Sequence, residues 1–149
     1  FFLRERIPPR LSPEETLAAI HEQGGLAYVP HPLDRLRNSA MGRCTLERVL
    51  AEVDIIEVFN ARVLVPQDNT AAFRLAQEYG LALGAGSDGH IPYEVGRAYV
   101  EVEPFTGPAG LMRALRHGRV VGRLSSPLVH LASSATKYYH RLGRALGRR

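Results

Sequence analysis

Hydrophobic positions in this chain fall into short clusters whose spacing switches repeatedly between a helical period and a strand-like run. Leu11-Ser12-Pro13-Glu14-Glu15 marks a helix start: Ser12 is placed to cap, Pro13 suits the first helical position, and Glu15 can close a capping box. Leu17 and Ile20 supply the apolar stripe, and Gly24-Gly25 ends the helix. Leu26-Ala27-Tyr28-Val29 follows as a short apolar strand, stopped by Pro30-His31-Pro32. The polar stretch from Leu33 to Cys44 is expected to be a surface excursion.

The alternation continues downstream. Thr45 is expected to cap a helix carrying Leu46, Val49 and Leu50, and the β-branched run from Val53 to Phe59 predicts a strand. After a loop from Asn60 to Val65, Pro66 opens a helix with Ala71, Ala72, Leu75 and Ala76, which Gly80 ends. Further strands are expected over 81–85, 97–102 and 119–124, with a helix from Leu111 to His117 between the last two. A final helix starts near Pro127 with Ser126 as its cap. This pattern predicts an α/β fold of about five mainly parallel strands, in an open sheet or closed into a barrel. No repeat, low-complexity tract or linker divides the chain, so residues 1–149 read as a single domain.

Composition narrows the classes. The 149 residues are 45% hydrophobic, enough for one real core. No apolar run approaches the roughly 18–20 residues that cross a bilayer, and Arg4, Arg6 and Arg10 interrupt any secretory apolar segment. A single cysteine, Cys44, excludes an internal disulfide and a cysteine-rich zinc module. The expected compartment is therefore the cytoplasm, with no membrane partner and no disulfide-linked partner. The chain opens Phe-Phe-Leu-Arg-Glu-Arg with neither an initiator Met nor a cap, which suggests a piece of a longer protein. Net charge is +4, but from Pro104 onward there are nine basic residues and no acidic one. Such a tail attracts phosphate-bearing partners, or else forms a solvated basic helix face.

Candidate chemistry gathers where strands are expected to end, as it does in parallel α/β folds. His31 closes the first strand, Glu57 and Asn60 the second with Arg62 just beyond, and Asp88 and His90 follow the third. In extended backbone, residues two apart point the same way, so Asp88-Gly89-His90 would aim a carboxylate and an imidazole at one centre. That mixed donor pair suits Zn, Mn or Fe, and His31 would make a third ligand. The plainer alternatives are a hydrogen-bonded His31 and an Asp88 that holds a turn. Glu57 within an apolar strand must be paired if it faces inward, as ligand, orienter or ion-pair partner. Arg62 and Arg97 are candidates for gripping phosphate from the rim, or simple surface charges. His21, His117, His130 and His140 read as structural or exposed, and Cys44 has no neighbouring His to activate it.

Three segments resemble the PHP (polymerase and histidinol phosphatase) superfamily: Gly24-Gly25 through Pro30-His31-Pro32, Ile56-Glu57-Val58-Phe59-Asn60, and Gly86-Ser87-Asp88-Gly89-His90. Their order fits its small stand-alone metal-dependent phosphoesterases. The resemblance implies the C-terminal part of a distorted (β/α)7 TIM-like barrel, without the family's opening metal motifs. It implies divalent metal ions (Mn, Mg, Fe or Zn) held by His31, Asp88 and His90, with Asp88 and His90 as catalytic residues and metal-activated water as the attacking group. Glu57 and Asn60 would support them, and Arg62 and Arg97 would bind substrate. The implied substrate is a phosphorylated small molecule or short nucleic acid, such as a nucleoside 3′,5′-bisphosphate or an RNA 5′ end. Two other readings stand beside it. One is a non-catalytic module binding nucleic acid or a partner through the basic C-terminal helix, with Tyr138 and Tyr139 beside Lys137 and Arg141. The other is a metal-dependent amide or lactone hydrolase.

Overall fold

A computed structural model describes residues 1–37 and 41–129. The first helix, α1 (Pro13–Glu22), forms as its sequence dictates. Ser12 Oγ accepts from the Glu15 amide at 3.1 Å, and Glu15 reaches back to the Ser12 amide at 2.7 Å. Strand β1 (Tyr28–Val29) follows, shorter than expected, and then α2 (Arg43–Val49). The cap of α2 is Gly42 and not Thr45, which lies inside the helix. Strand β2 (Ile55–Asn60) leads into α3 (Pro66–Tyr79), which has Pro66 in its first turn and ends on Gly80 in the left-handed conformation. Then come β3 (Ala82–Gly86), β4 (Ala98–Glu101), α4 (Gly107–Leu115) and β5 (Arg119–Gly122).

β1, β2 and β3 form a parallel sheet in that order. Tyr28 stands opposite Ile55, which stands opposite Ala82; one residue on, Val29, Ile56 and Leu83 are aligned. Aligned residues share a face, so the sheet separates two apolar layers. On one face Val29, Ile56 and Val58 meet Leu17 of α1, Leu46 and Val49 of α2, and Leu75 and Ala76 of α3. On the other, Ile55 and Tyr28 meet Leu111 and Leu115 of α4 and Val100 of β4. At the outer side of β1, the Phe1 carbonyl accepts the Leu26 amide and the Phe1 ammonium donates back to Leu26 O.

The register slips by one between Glu57 and Phe59: Glu57 faces Gly84, Phe59 faces Ala85, and Asn60 faces Gly86. Gly84 and Gly86 are two apart and lie on one face, so the extra residue at Val58 brings Asn60 round to the side of Glu57. Strict alternation would have put the two on opposite faces.

Three strands, not five, are parallel; β4 and β5 pair antiparallel, with Glu101 opposite Arg119. The excursion between them begins and ends at the same end of the pair. The described strands do not close into the expected barrel, because closure needs a full circle of tilted, staggered strands. The expected final helix and its His130, Lys137, Tyr138, Tyr139, His140 and Arg141 lie outside the described residues. Among the described residues no helix is long and apolar enough to cross a membrane.

Leu46 is fully buried where α2 meets the sheet. Leu46→Ala is expected to cost about 2–5 kcal/mol of stability, read as a lowered urea midpoint. An unchanged midpoint would place α2 outside the core.

Candidate functional site

Glu57 is 5% exposed, and its carboxylate is surrounded by donors. Oε1 accepts from the Tyr28 hydroxyl at 3.0 Å; Oε2 accepts from the His31 backbone amide at 2.7 Å and from Asn60 Nδ2 at 2.9 Å. The two glycines of β3 make this possible. A Cβ on Gly84 would collide with the Tyr28 ring, and one on Gly86 with Glu57 Oε1. Burial holds the Tyr28 phenol well above its ordinary range, reinforced by the Glu57 charge and their hydrogen bond. Tyr28 therefore remains a donor to the carboxylate.

Asn60 links this carboxylate to the next strand end. Its Nδ2 also reaches Asp88 Oδ2 at 3.4 Å, while its Oδ1 accepts from the Arg62 amide at 2.8 Å. Asn69 of α3 holds the Asn60 backbone from both sides, accepting its amide at 3.0 Å and donating to its carbonyl at 3.1 Å. With its side chain and backbone both engaged, Asn60 is a fixed connector.

Asp88 and His90 come together, though not by the expected extended geometry. Asp88 has φ 48°, a left-handed conformation that Asp tolerates better than most residues. The turn brings His90 Nδ1 to 2.7 Å from the Asp88 carbonyl and 3.8 Å from Asp88 Oδ1. His31 is also left-handed, at φ 32°, and its Nδ1 is buried with no hydrogen-bond partner among the described residues.

Three arginines carry the local charge. Arg62 is 4% exposed and pairs at 2.8 Å with Glu94, which is 0% exposed. Expected at the rim as a phosphate grip or a surface charge, it lies instead in a buried ion pair, because the buried Glu94 carboxylate needs a cation. Arg97 stacks its guanidinium over the Tyr93 ring at 4.4 Å. Sequence reading missed Arg37, whose guanidinium contacts Asp88 Oδ2 and lies 3.4 Å from the buried Asp34. The segment after His31 is therefore folded over the site, anchored also by Arg35 on Asp68 at 2.6 Å. Its alternating charges, Asp34-Arg35-Leu36-Arg37, were the available signal.

Taken alone, these side chains do not fit a metal ion. Among the described residues no group of three or more His, Cys, Asp or Glu side chains is arranged to hold one. Asp88 already faces a cation, and Glu57 is saturated by donors. His31 Nδ1 is the one ring nitrogen here that is buried without a partner among the described residues.

Residues 66–120, which include Asp88, His90, Glu94 and Arg97, match the model of the PHP-associated family. The chain is related to the PHP superfamily. Among curated relatives, Uncharacterized protein MJ0417 of Methanocaldococcus jannaschii is 38% identical over 103 residues, 67% of this chain and 44% of that protein. Uncharacterized protein MJ1587 of the same organism is 49% identical over 61 residues, 40% of this chain and 33% of that protein. The matched stretch is thus less than half of either relative's length.

The phenol geometry makes a pH prediction. In the unfolded chain Tyr28 loses its proton near pH 10, but in the folded chain it keeps it to higher pH. Stability should therefore fall as pH rises above about 10, and Tyr28→Phe should flatten that fall. Near neutral pH the same variant should lose about 1–3 kcal/mol with the hydrogen bond to Glu57. Urea unfolding on either side of pH 10 measures both; parallel pH slopes would refute the assignment.

Proposed function

We propose that the chain forms part of a PHP-type phosphoesterase site and that the whole protein hydrolyses phosphate esters. The carrying observation is that the Glu57–Asn60 network holds the His31 amide and the Asp88 carboxylate at the ends of parallel strands, with the His90 ring turned onto Asp88. Residues from beyond the matched stretch of the longer protein would supply the donors that a divalent ion needs, with His31, Asp88 and His90 among its ligands.

The chain's own residues prepare the site for an anion. Arg37 lies on Asp88, from which a small side-chain movement would present its guanidinium to a phosphate oxygen. Arg97 offers a second cation held by its aromatic neighbour. The His90 ring donates from Nδ1 to a carbonyl, which leaves Nε2 as its acceptor. Glu57 keeps His31 and Asn60 in place and does not itself meet the substrate. Attack of water on phosphorus would break the ester P–O bond and release an alcohol and phosphate. Nucleoside 3′,5′-bisphosphates and short RNA 5′ ends are the substrates to test first, because the second phosphate gives Arg97 a partner.

In the whole protein, Asp88→Ala should lower phosphate release from a nucleoside 3′,5′-bisphosphate at least about 100-fold, with the circular dichroism spectrum unchanged. Chelation should abolish turnover and added Mn²⁺ restore it. Full activity in the Asp88 variant would refute the site, and activity insensitive to chelation would refute the metal requirement.

A further inference from the structure

Glu94 is completely buried, yet the proposed chemistry gives it no task. It ends the short turn Pro92–Glu94 that follows His90. Its Oε2 accepts from the His90 amide at 2.9 Å, from the Ile91 amide at 3.2 Å and from Nη1 of Arg62 at 2.8 Å. Gly89 packs directly on it, so close that a Cβ there would stand 3.2 Å from Glu94 Cβ. A single carboxylate oxygen thus gathers two consecutive amides of the His90 segment and ties them to a cation just beyond β2.

That clamp bears on the state of the His90 ring. A carbonyl oxygen only accepts, so the 2.7 Å contact with Asp88 O requires the proton on His90 Nδ1. The neutral ring then carries its lone pair on Nε2, the reverse of the tautomer that free histidine prefers in water. The contact spans only two residues and depends on the left-handed Asp88 and on the placement of the His90 backbone. Glu94 is what fixes that backbone.

We infer that Glu94 is a positioning residue: by clamping the His90 amide against Arg62 it holds His90 in the Nδ1–H tautomer, with Nε2 as the ring's acceptor. The inference rests on reading His90 as a residue of the phosphoesterase site, but the tautomer can be read without any activity. Long-range ¹H–¹⁵N correlation spectra taken at about pH 8.5, where an ordinary imidazole is neutral, report which ring nitrogen carries the proton. The His90 signal is identified by its loss in His90→Asn. The wild-type protein should show protonated Nδ1. Glu94→Gln preserves the volume but replaces the carboxylate, and it should shift His90 toward the Nε2–H form. In the whole protein it should lower kcat about 10–100-fold with KM little changed, as loss of an orienting group does. If Glu94→Gln fails to fold, Glu94→Asp, one methylene too short to reach both amides and Arg62, should give the same shift. A wild-type His90 protonated on Nε2, or a folded variant with the Nδ1–H tautomer intact, would overturn the inference. A tautomer shift in a whole protein without phosphatase activity would support the clamp and refute only the phosphoesterase reading.

Discussion

The carboxylate of Glu57 is the point on which the site depends. It lies between two strands of an apolar sheet, where an unpaired charge could not persist, so its surroundings are built to satisfy it. Tyr28, the amide of His31 and the amide group of Asn60 all donate to it. These donors come from two strand ends, and Asn60 extends the connection to Asp88 on a third. Solvating one buried anion therefore sets the relative positions of three loops. Two absences of side chain, at Gly84 and Gly86, give the phenol and the carboxylate room.

Around this centre the charges are arranged as matched pairs at two depths. Glu94 and Arg62 form the deep pair, and breaking a buried pair by removing one partner costs about 3–5 kcal/mol. That magnitude suits a structural clamp. Asp88 and Arg37 form the shallow pair, partly open to solvent. A rigid pair beneath a more accessible one is the arrangement that the proposed anion site needs.

Much of the frame was legible in the sequence. The capping box at Ser12, Pro66 and Gly80 at the ends of α3, and the apolar strands all follow from local chemistry, and the structure has them. The motif order around His31, Glu57 and Asp88-Gly89-His90 pointed to the PHP relationship. Other features depend on contacts distant in sequence and left no local trace. The one-residue slip at Val58 reversed the face of Asn60, and only the pairing with β3 reveals it. Arg62 looked like a rim charge because its partner Glu94 lies 32 residues away. The antiparallel pairing of β4 and β5 is a choice of partner and direction that alternation of helix and strand does not encode.

The most direct measurement is hydrogen exchange at the His31 backbone amide in the wild-type protein and in Glu57→Leu, which keeps the bulk and removes every acceptor. If the Glu57 carboxylate organises the site, the wild-type amide exchanges slowly. The variant should exchange it about tenfold faster or more, as loss of a charge-assisted hydrogen bond worth about 1.5–3 kcal/mol requires, while the amides of Ile56 and Val58 stay protected. Equal exchange at His31 in both proteins would contradict the account.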